Sequence, residues 1–192
     1  MTKCITAILL LLLSASLALS IPKPDEWIKY NSHEGRYTVS LPAQPNLSTQ
    51  EATTPDGQKL HQSLASVTEA GDVAFVTGYF DLDVGKIFSA DAARDGMVKQ
   101  INGTLINETA ISLGNHPGRG IKVLAKAPAG ASAEGEKPPE TVDYIVHARF
   151  YEVDKRIYIL QVIFPKSLES EATNARATKY FDSFQVVKNQ ID

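Results

Sequence analysis

The segment GNHPGRG, residues 114–120, places a histidine and an arginine among three glycines and a proline. Arg119 carries a planar fork of hydrogen-bond donors suited to carboxylate or phosphate, so with His116 it could hold an anion beside exposed backbone amides. A tight turn into a strand at Gly120, with Arg119 paired to a surface acid, explains the same residues more simply. The turn is the preferred interpretation, and His116 and Arg119 are the candidate residues of an interaction loop.

Residues that could bind a metal are scattered along the chain. The histidines are His33, His61, His116 and His147. None of them forms a pair at the i, i+2 or i, i+4 spacing that puts two ligands on one strand or helix face. The segment from Asp81 to Gly85 resembles the start of a calcium loop, but Ala92 stands where the closing glutamate would be. We therefore expect no metal and no cofactor.

Signatures of nucleophilic catalysis are equally weak. No serine lies in a Gly-x-Ser-x-Gly elbow, and no phosphate-binding glycine loop follows a predicted strand. The single cysteine, Cys4, precedes an apolar run in the leader described next, so a mature chain would have no thiolate nucleophile and no disulfide. The sequence thus predicts no catalytic residues and a protein that is not an enzyme.

Residues 1–20 have the order of a secretory signal peptide: Lys3, an apolar run from Ile5 to Leu13, and then a zone of small residues. The run is shorter than the roughly 20 apolar residues that span a bilayer. Cleavage after Ser20 would leave residues 21–192 as a single domain with no membrane anchor. We expect an exported protein, periplasmic or extracellular.

The charge of the chain excludes one class of partner. The formal net charge is -3, and no basic block accompanies it, so the electrostatic footprint of a nucleic-acid-binding protein is absent. The expected partner is instead a protein or another component of the cell envelope, bound by a monomer.

Two stretches have helical spacing. Ala90, Ala93, Met97 and Ile101 recur every three or four residues behind Ser89, a good capping residue, and predict a helix over 90–101. A second apolar stripe predicts a helix over about 168–181, followed by a short extended end at 185–187.

The rest of the chain consists of alternating apolar segments divided by turn residues. Two apolar-alternating pieces lie on either side of Glu34-Gly35 within residues 27–42. Further predicted strands cover residues 58–67, 73–80, 104–113, 120–125, 141–153 and 156–164. Pro55-Asp56-Gly57 predicts a hairpin turn, and residues 127–140, rich in alanine, glycine and proline, predict a flexible loop. The pattern predicts an α+β fold: a mainly antiparallel sheet of seven or eight strands with two main helices packed against it.

The hairpin around Asp154-Lys155 allows two registers. A simple two-residue turn sets Ala148 opposite Gln161, whereas a bulge would place Ala148 opposite Val162 and give a cleaner apolar face. In either register, one face of the hairpin is expected to meet the helices.

Several motifs together resemble a known family. They are EGRYTVSLPAQP, AARDGMVKQINGTLI, HPGRGIKV, ARFYEVDKRIYIL and ATKYFDSFQV. In this order they resemble exported bacterial proteins of the PsbP-like superfamily, whose members are mostly uncharacterised. The resemblance implies an antiparallel sheet flanked by helices, a PsbP-like sandwich, and a role as an extrinsic accessory or partner-binding protein. It supplies no ligand residue that matches a position in this chain.

Two functions follow as expectations. The first is a non-enzymatic accessory or protein-binding module, which uses a sheet face or the loops around 114–120 and 127–140. The alternative is a carrier of a small apolar ligand with a pocket between the sheet and the helices. A pocket of several hundred cubic ångströms with apolar walls would favour the carrier, and a filled core with one exposed aromatic face would favour the module.

Overall fold

The computed structural model describes residues 26–53, 59–128 and 141–187. The elements in these ranges are β1 (Ile28–Ser32), β2 (Tyr37–Leu41), β3 (Asn46–Thr53), β4 (Lys59–Glu69), β5 (Val73–Asp81), α1 (Ala90–Gln100), β6 (Thr104–Leu113), β7 (His116–Pro128), β8 (Thr141–Val153), β9 (Arg156–Pro165), a 3-10 turn (Lys166–Leu168), α2 (Glu171–Asp182) and β10 (Gln185–Val186). The predicted leader, the turn at 55–57 and residues 129–140 of the predicted loop lie outside the described residues.

The strands form two antiparallel sheets. The main sheet has seven strands in the order β3-β4-β5-β9-β8-β7-β6, and a smaller sheet has the order β1-β2-β10. The smaller sheet and α2 pack on one face of the main sheet, and α1 packs on the other. We call these the α2 face and the α1 face. The fold is an α+β sandwich, as predicted.

The larger core fills the α2 face. Tyr37, Val39 and Leu41 of β2 are at most 1% exposed and pack with buried residues of the main sheet and α2. Aromatic rings dominate it, and Phe75 of β5 lies 5.4 Å from Tyr180 of α2 between ring centroids. The middle strands carry apolar residues on both faces. A second, smaller core therefore lies on the α1 face of the same sheet.

The α1 face has a thinner cover. Its core joins Val123, Val146 and Phe150 of the sheet to Met97 and Ile101 at the helix. No residue within α1 itself is fully buried. The helix therefore covers β7 and β8 well and leaves the neighbouring part of the sheet open.

The β8–β9 hairpin has the simple register. Ala148 is opposite Gln161, and Val146 is opposite Ile163, across a turn in which Asp154 has a φ of 58°. The bulged alternative is therefore wrong. A uniformly apolar face is not needed, because other elements cover both faces of the hairpin. Val146 and Ala148 meet α1, while Ile145 and Tyr151 belong to the core under α2.

Several boundaries differ from the prediction, most clearly at β7 and α2. Strand β7 begins at His116 rather than Gly120 and includes residues 127 and 128, which were assigned to the flexible loop. Helix α2 begins at Glu171, not at residue 168, because the Ser170 side chain accepts a hydrogen bond from the backbone of Thr173 and so fixes the start. Helix α1 begins at Ala90 behind the predicted cap, Ser89.

Candidate functional site

The predicted interaction loop is a strand. The turn between β6 and β7 is formed by Gly114 and Asn115, and Gly114 has a φ of +59°. His116 already pairs with Leu113 across this turn. Pro117 is tolerated because β8 begins to pair with β7 only at Gly118, so its missing N–H leaves no bond unmade on that side.

The strand geometry separates His116 from Arg119. Successive side chains of a strand point to opposite faces. Arg119 lies on the α1 face, where its guanidinium contacts Asp91 at 2.8 Å and also Glu108. His116 lies on the opposite face, so the two side chains do not converge on one anion. An interaction role for either residue remains a prediction.

Arg119 belongs to an ionic cluster at the start of α1. Arg94 contacts Asp95 at 2.8 Å and Glu108 at 2.9 Å, so Glu108 of β6 bridges two guanidinium groups. Hydrogen bonds from Arg119, and then from Arg94, hold the pKa of Glu108 below its usual value. The cluster ties the helix to β6 and β7, which is the role expected for Arg119 in the turn interpretation.

A groove of about 500 Å³ lies between α1 and the open part of the α1 face. We call it the α1 groove. Its main lining residues are Gln50, Leu60, Gln62, Phe80, Ile87, Phe88, Ala92, Gly96, Met97, Gln100, Phe150, Ile159 and Gln161. Aromatic and aliphatic side chains predominate, with glutamine amides along the sheet. The groove lies between sheet and helix, where the carrier hypothesis placed a pocket.

Helix α1 presents its smallest side chains to the groove. Ala92, Gly96 and Gln100 recur every four residues and so form one row along the helix. The next row, with Met97, packs onto the smaller core. At Gly96, a Cβ atom would have no heavy atom within 4 Å, so the space beside this helix position is open.

Gly78 of β5 lies next to Gln62 and Ile159, which line the sheet side of the groove. A Cβ atom there would lie 2.7 Å from Leu64 Cδ2 and 2.8 Å from Gln62 Nε2, so glycine allows both side chains to lie over β5. The Gln62 side chain also accepts a hydrogen bond of 2.8 Å from Gln50 Nε2. The sheet side of the groove thus combines apolar surface with amide groups that can hydrogen-bond a ligand.

The rim carries exposed aliphatic residues. Ile87 is 89% exposed and borders the groove, and Val84 in the same β5–α1 connection is fully exposed. Exposed large apolar side chains next to an apolar recess are typical of an interaction site.

Gly96→Ala is expected to raise the free energy of unfolding by up to about 1 kcal/mol, because alanine favours the helix and reduces the freedom of the unfolded chain. The added methyl group meets open space, so no clash offsets the gain. Urea unfolding followed by circular dichroism measures the change. A loss of stability would contradict the placement of Gly96 beside open space.

Two features are absent from the described residues. In ranges 26–53, 59–128 and 141–187, no group of three or more His, Cys, Asp or Glu side chains is placed to hold a metal ion. Over the same ranges, no helix is long and apolar enough to cross a membrane.

Comparison with known proteins supports the fold. No protein-family model and no curated protein match the chain. The solution structure of cyanobacterial PsbP (CyanoP) from Synechocystis sp. PCC 6803 is similar, with a TM-score of 0.50 and 11% identity over 91% of this chain and 98% of that one. A protein of unknown function from Pseudomonas aeruginosa, PA94, gives a TM-score of 0.40 and 16% identity over 80% of this chain and 94% of that one. The first similarity shows a PsbP-like fold, as the sequence motifs implied.

Proposed function

We propose that the protein is an exported, non-enzymatic accessory module that binds a partner protein through the α1 groove. Export rests on the leader sequence at residues 1–20, and the binding role rests on the groove. The partner contributes an apolar segment that lies along α1, with glutamine amides on the sheet side available to its backbone. The single observation that carries the proposal is the apolar groove with its exposed rim.

The rim favours a macromolecular partner over a small ligand. A small molecule in the groove would leave Val84, which lies outside the lining, in water, whereas a partner surface that continues beyond the groove would cover it as well as Ile87. Burial of aliphatic surface is the main favourable contribution to such an association.

A carrier of a small apolar ligand is the second candidate for the same groove. The volume of about 500 Å³ and the predominance of apolar lining residues favour it, and they meet the criterion that the sequence analysis set for a carrier. The two candidates share a site and differ in occupant, so one set of variants can separate them.

Gly96→Leu is expected to abolish binding at the groove while the helix remains intact, because leucine is a good helix former and its side chain fills the recess. The neutral fluorophore N-phenyl-1-naphthylamine serves as the probe, and its affinity is measured by fluorescence titration. We expect a loss of at least about tenfold in affinity. Gly96→Ala is the matched control, since it changes the same helix position and leaves most of the groove free.

Capture of partners from an envelope fraction then separates the two candidates. The wild type and Gly96→Ala should retain the same protein, and Gly96→Leu should lose it. Equal capture by all three would refute partner binding at the groove. Probe binding without groove-dependent capture, together with a small apolar molecule that co-purifies with the wild type, would favour the carrier. Equal probe affinity in the Leu and Ala variants would refute both.

A further inference from the structure

A second recess lies on the opposite face of the main sheet. It has a volume of about 260 Å³ and opens to solvent between α2 and strands β6, β7 and β8. We call it the α2 cavity. Its lining is polar where that of the α1 groove is apolar: Asn107, Thr109, Lys122, His147, Arg149 and Asn174 contribute side chains that hydrogen-bond or carry charge.

A glycine creates the space. Thr109, Gly120 and Arg149 are direct neighbours on three adjacent strands, and their side chains share the α2 face. Gly120 therefore leaves a hollow between a hydroxyl and a guanidinium. A Cβ atom at this position would come within 3.1 Å of Thr109 Oγ1, so even a methyl group would intrude on the floor.

Two buried polar atoms at the cavity lack a partner. His147 Nε2 and Asn174 Oδ1 have negligible solvent exposure and no hydrogen bond within the described part of the chain. Both residues line the α2 cavity. Buried polar groups in native proteins nearly always have a partner, so two such atoms beside one cavity indicate a place for a polar ligand. The volume is several times the roughly 30 Å³ that one water occupies.

The charged groups that line the cavity are both positive. Lys122 and Arg149 contribute to its wall, while their carboxylate partners, Glu169 and Asp182, do not. Arg149 Nη1 lies 3.3 Å from Asp182 Oδ1, a long contact for a charged pair. The Arg149 guanidinium lies over the Phe181 ring, 4.5 Å from its centroid. This contact fixes the plane of the guanidinium and leaves some of its N–H donors available to a ligand.

From this arrangement we propose that the α2 cavity binds a small organic carboxylate that also carries a hydroxyl or amino group. The carboxylate binds Arg149 and Lys122, which supply a donor fork and a second positive charge. The hydroxyl or amino group donates a hydrogen bond to Asn174 Oδ1. His147 Nε2 forms a hydrogen bond with the same molecule.

His147 reports on occupancy. Burial, followed by the positive charge of Lys122, lowers the pKa of His147, and Glu169 partly opposes this. A bound carboxylate adds a negative charge beside the imidazole and should move its pKa upward. Lys122, Glu169 and Arg149 are the charged groups that act on this ring.

The test is an NMR titration of the purified protein with L-lactate and with propionate, which has the same carboxylate and carbon chain without the hydroxyl. Lactate is expected to shift the Gly120 amide and the His147 ring signals until they saturate, and to raise the pKa of His147. Propionate is expected to bind about tenfold more weakly, because Asn174 Oδ1 is then left without a donor.

Two variants and a control complete the test. Arg149→Met removes the fork and Gly120→Ala fills the floor, so each should weaken lactate binding by about tenfold or more. Lys126→Met, on the same strand as Gly120 at an exposed position, removes one positive charge away from the cavity and should bind as the wild type does. Thermal unfolding verifies that each variant is folded.

Three results would overturn the proposal: no saturable shift at tens of millimolar lactate, equal affinity for lactate and propionate, or wild-type affinity in folded Arg149→Met. The α2 cavity and the α1 groove lie on opposite faces of the sheet, and their probes differ. A negative result at one of these two sites therefore does not refute the proposal for the other, which is tested by its own probe.

Discussion

Tyr37→Ala is expected to lower the free energy of unfolding by about 3–5 kcal/mol, the range for removing a large buried aromatic ring. Tyr37 is 1% exposed and joins the smaller sheet to the main sheet. Its ring centroid lies 5.5 Å from that of Phe184, 6.1 Å from that of Tyr158 and 6.3 Å from that of Tyr79. The variant would leave a cavity among these rings, and they cannot close it because the packing of their own backbone segments holds them.

Chemical denaturation followed by tryptophan fluorescence measures this loss, since Trp27 packs against the same core. Tyr30→Ala is the control. Tyr30 lies on the neighbouring strand and its ring contacts Tyr37 at 6.1 Å, but it is only partly buried. We expect Tyr30→Ala to lower the free energy of unfolding by less than half as much as Tyr37→Ala does. Equal losses in the two variants would contradict the central position of Tyr37.

Arg156→Leu is expected to lower the free energy of unfolding by about 1.5–3 kcal/mol, the range for hydrogen bonds to charged groups, since the carboxylate left behind at Asp81 is 56% exposed and stays hydrated. Arg156 is 8% exposed and makes two 2.6 Å hydrogen bonds to the carboxylate of Asp81. A third, also 2.6 Å, goes to the backbone oxygen of Glu34 in the turn after β1. The side chain thus fastens the smaller sheet to β5 and β9.

The matched control is Arg176→Leu. Arg176 also makes two hydrogen bonds to one carboxylate, that of Glu69, at 2.9 and 2.6 Å, but its side chain is 38% exposed. Solvent weakens such a pair, so we expect a loss of about 1 kcal/mol or less. Similar losses in the free energy of unfolding in Arg156→Leu and Arg176→Leu would show that burial of the arginine side chain does not determine the loss.

The Arg156 variant should also change the response to acid. Hydrogen bonds from Arg156 hold the pKa of Asp81 below its usual value. A lowered folded-state pKa stabilises the native state above the unfolded value of about 3.9, and this stabilisation is lost as the pH falls toward the folded value. The stability difference between wild type and Arg156→Leu should therefore narrow below about pH 4. A difference that stays constant down to the folded-state pKa would contradict the pairing.

The sequence predicted those elements whose signals are local. Ser89 and the spacing of Ala93 and Met97 are sufficient to place α1, because capping and an apolar stripe act within a few residues. The segment 104–113 alternates clearly enough that its strand boundaries were correct. The PsbP-like fold followed from the order of motifs.

What depends on packing between distant segments was harder to predict. The start of β7 at His116 depends on pairing with β6. The glycines and the proline near it favour a turn locally, so the sequence predicted the strand only from Gly120. The α1 groove needs an open part of the main sheet beside a helix row with no side chain at Gly96, and only tertiary structure brings these together. Gly96 itself was visible in the sequence as a glycine that costs the helix up to about 1 kcal/mol relative to alanine, but nothing local connected it with a groove.

The proposed function requires that the α1 groove binds apolar groups. The most direct measurement is the set of intermolecular nuclear Overhauser effects between bound N-phenyl-1-naphthylamine and the methyl groups of the protein. We expect contacts to Ile87, Met97 and Ile159, which line the groove. Contacts to Ile111, on the opposite face of the sheet, with none to these three, would contradict it.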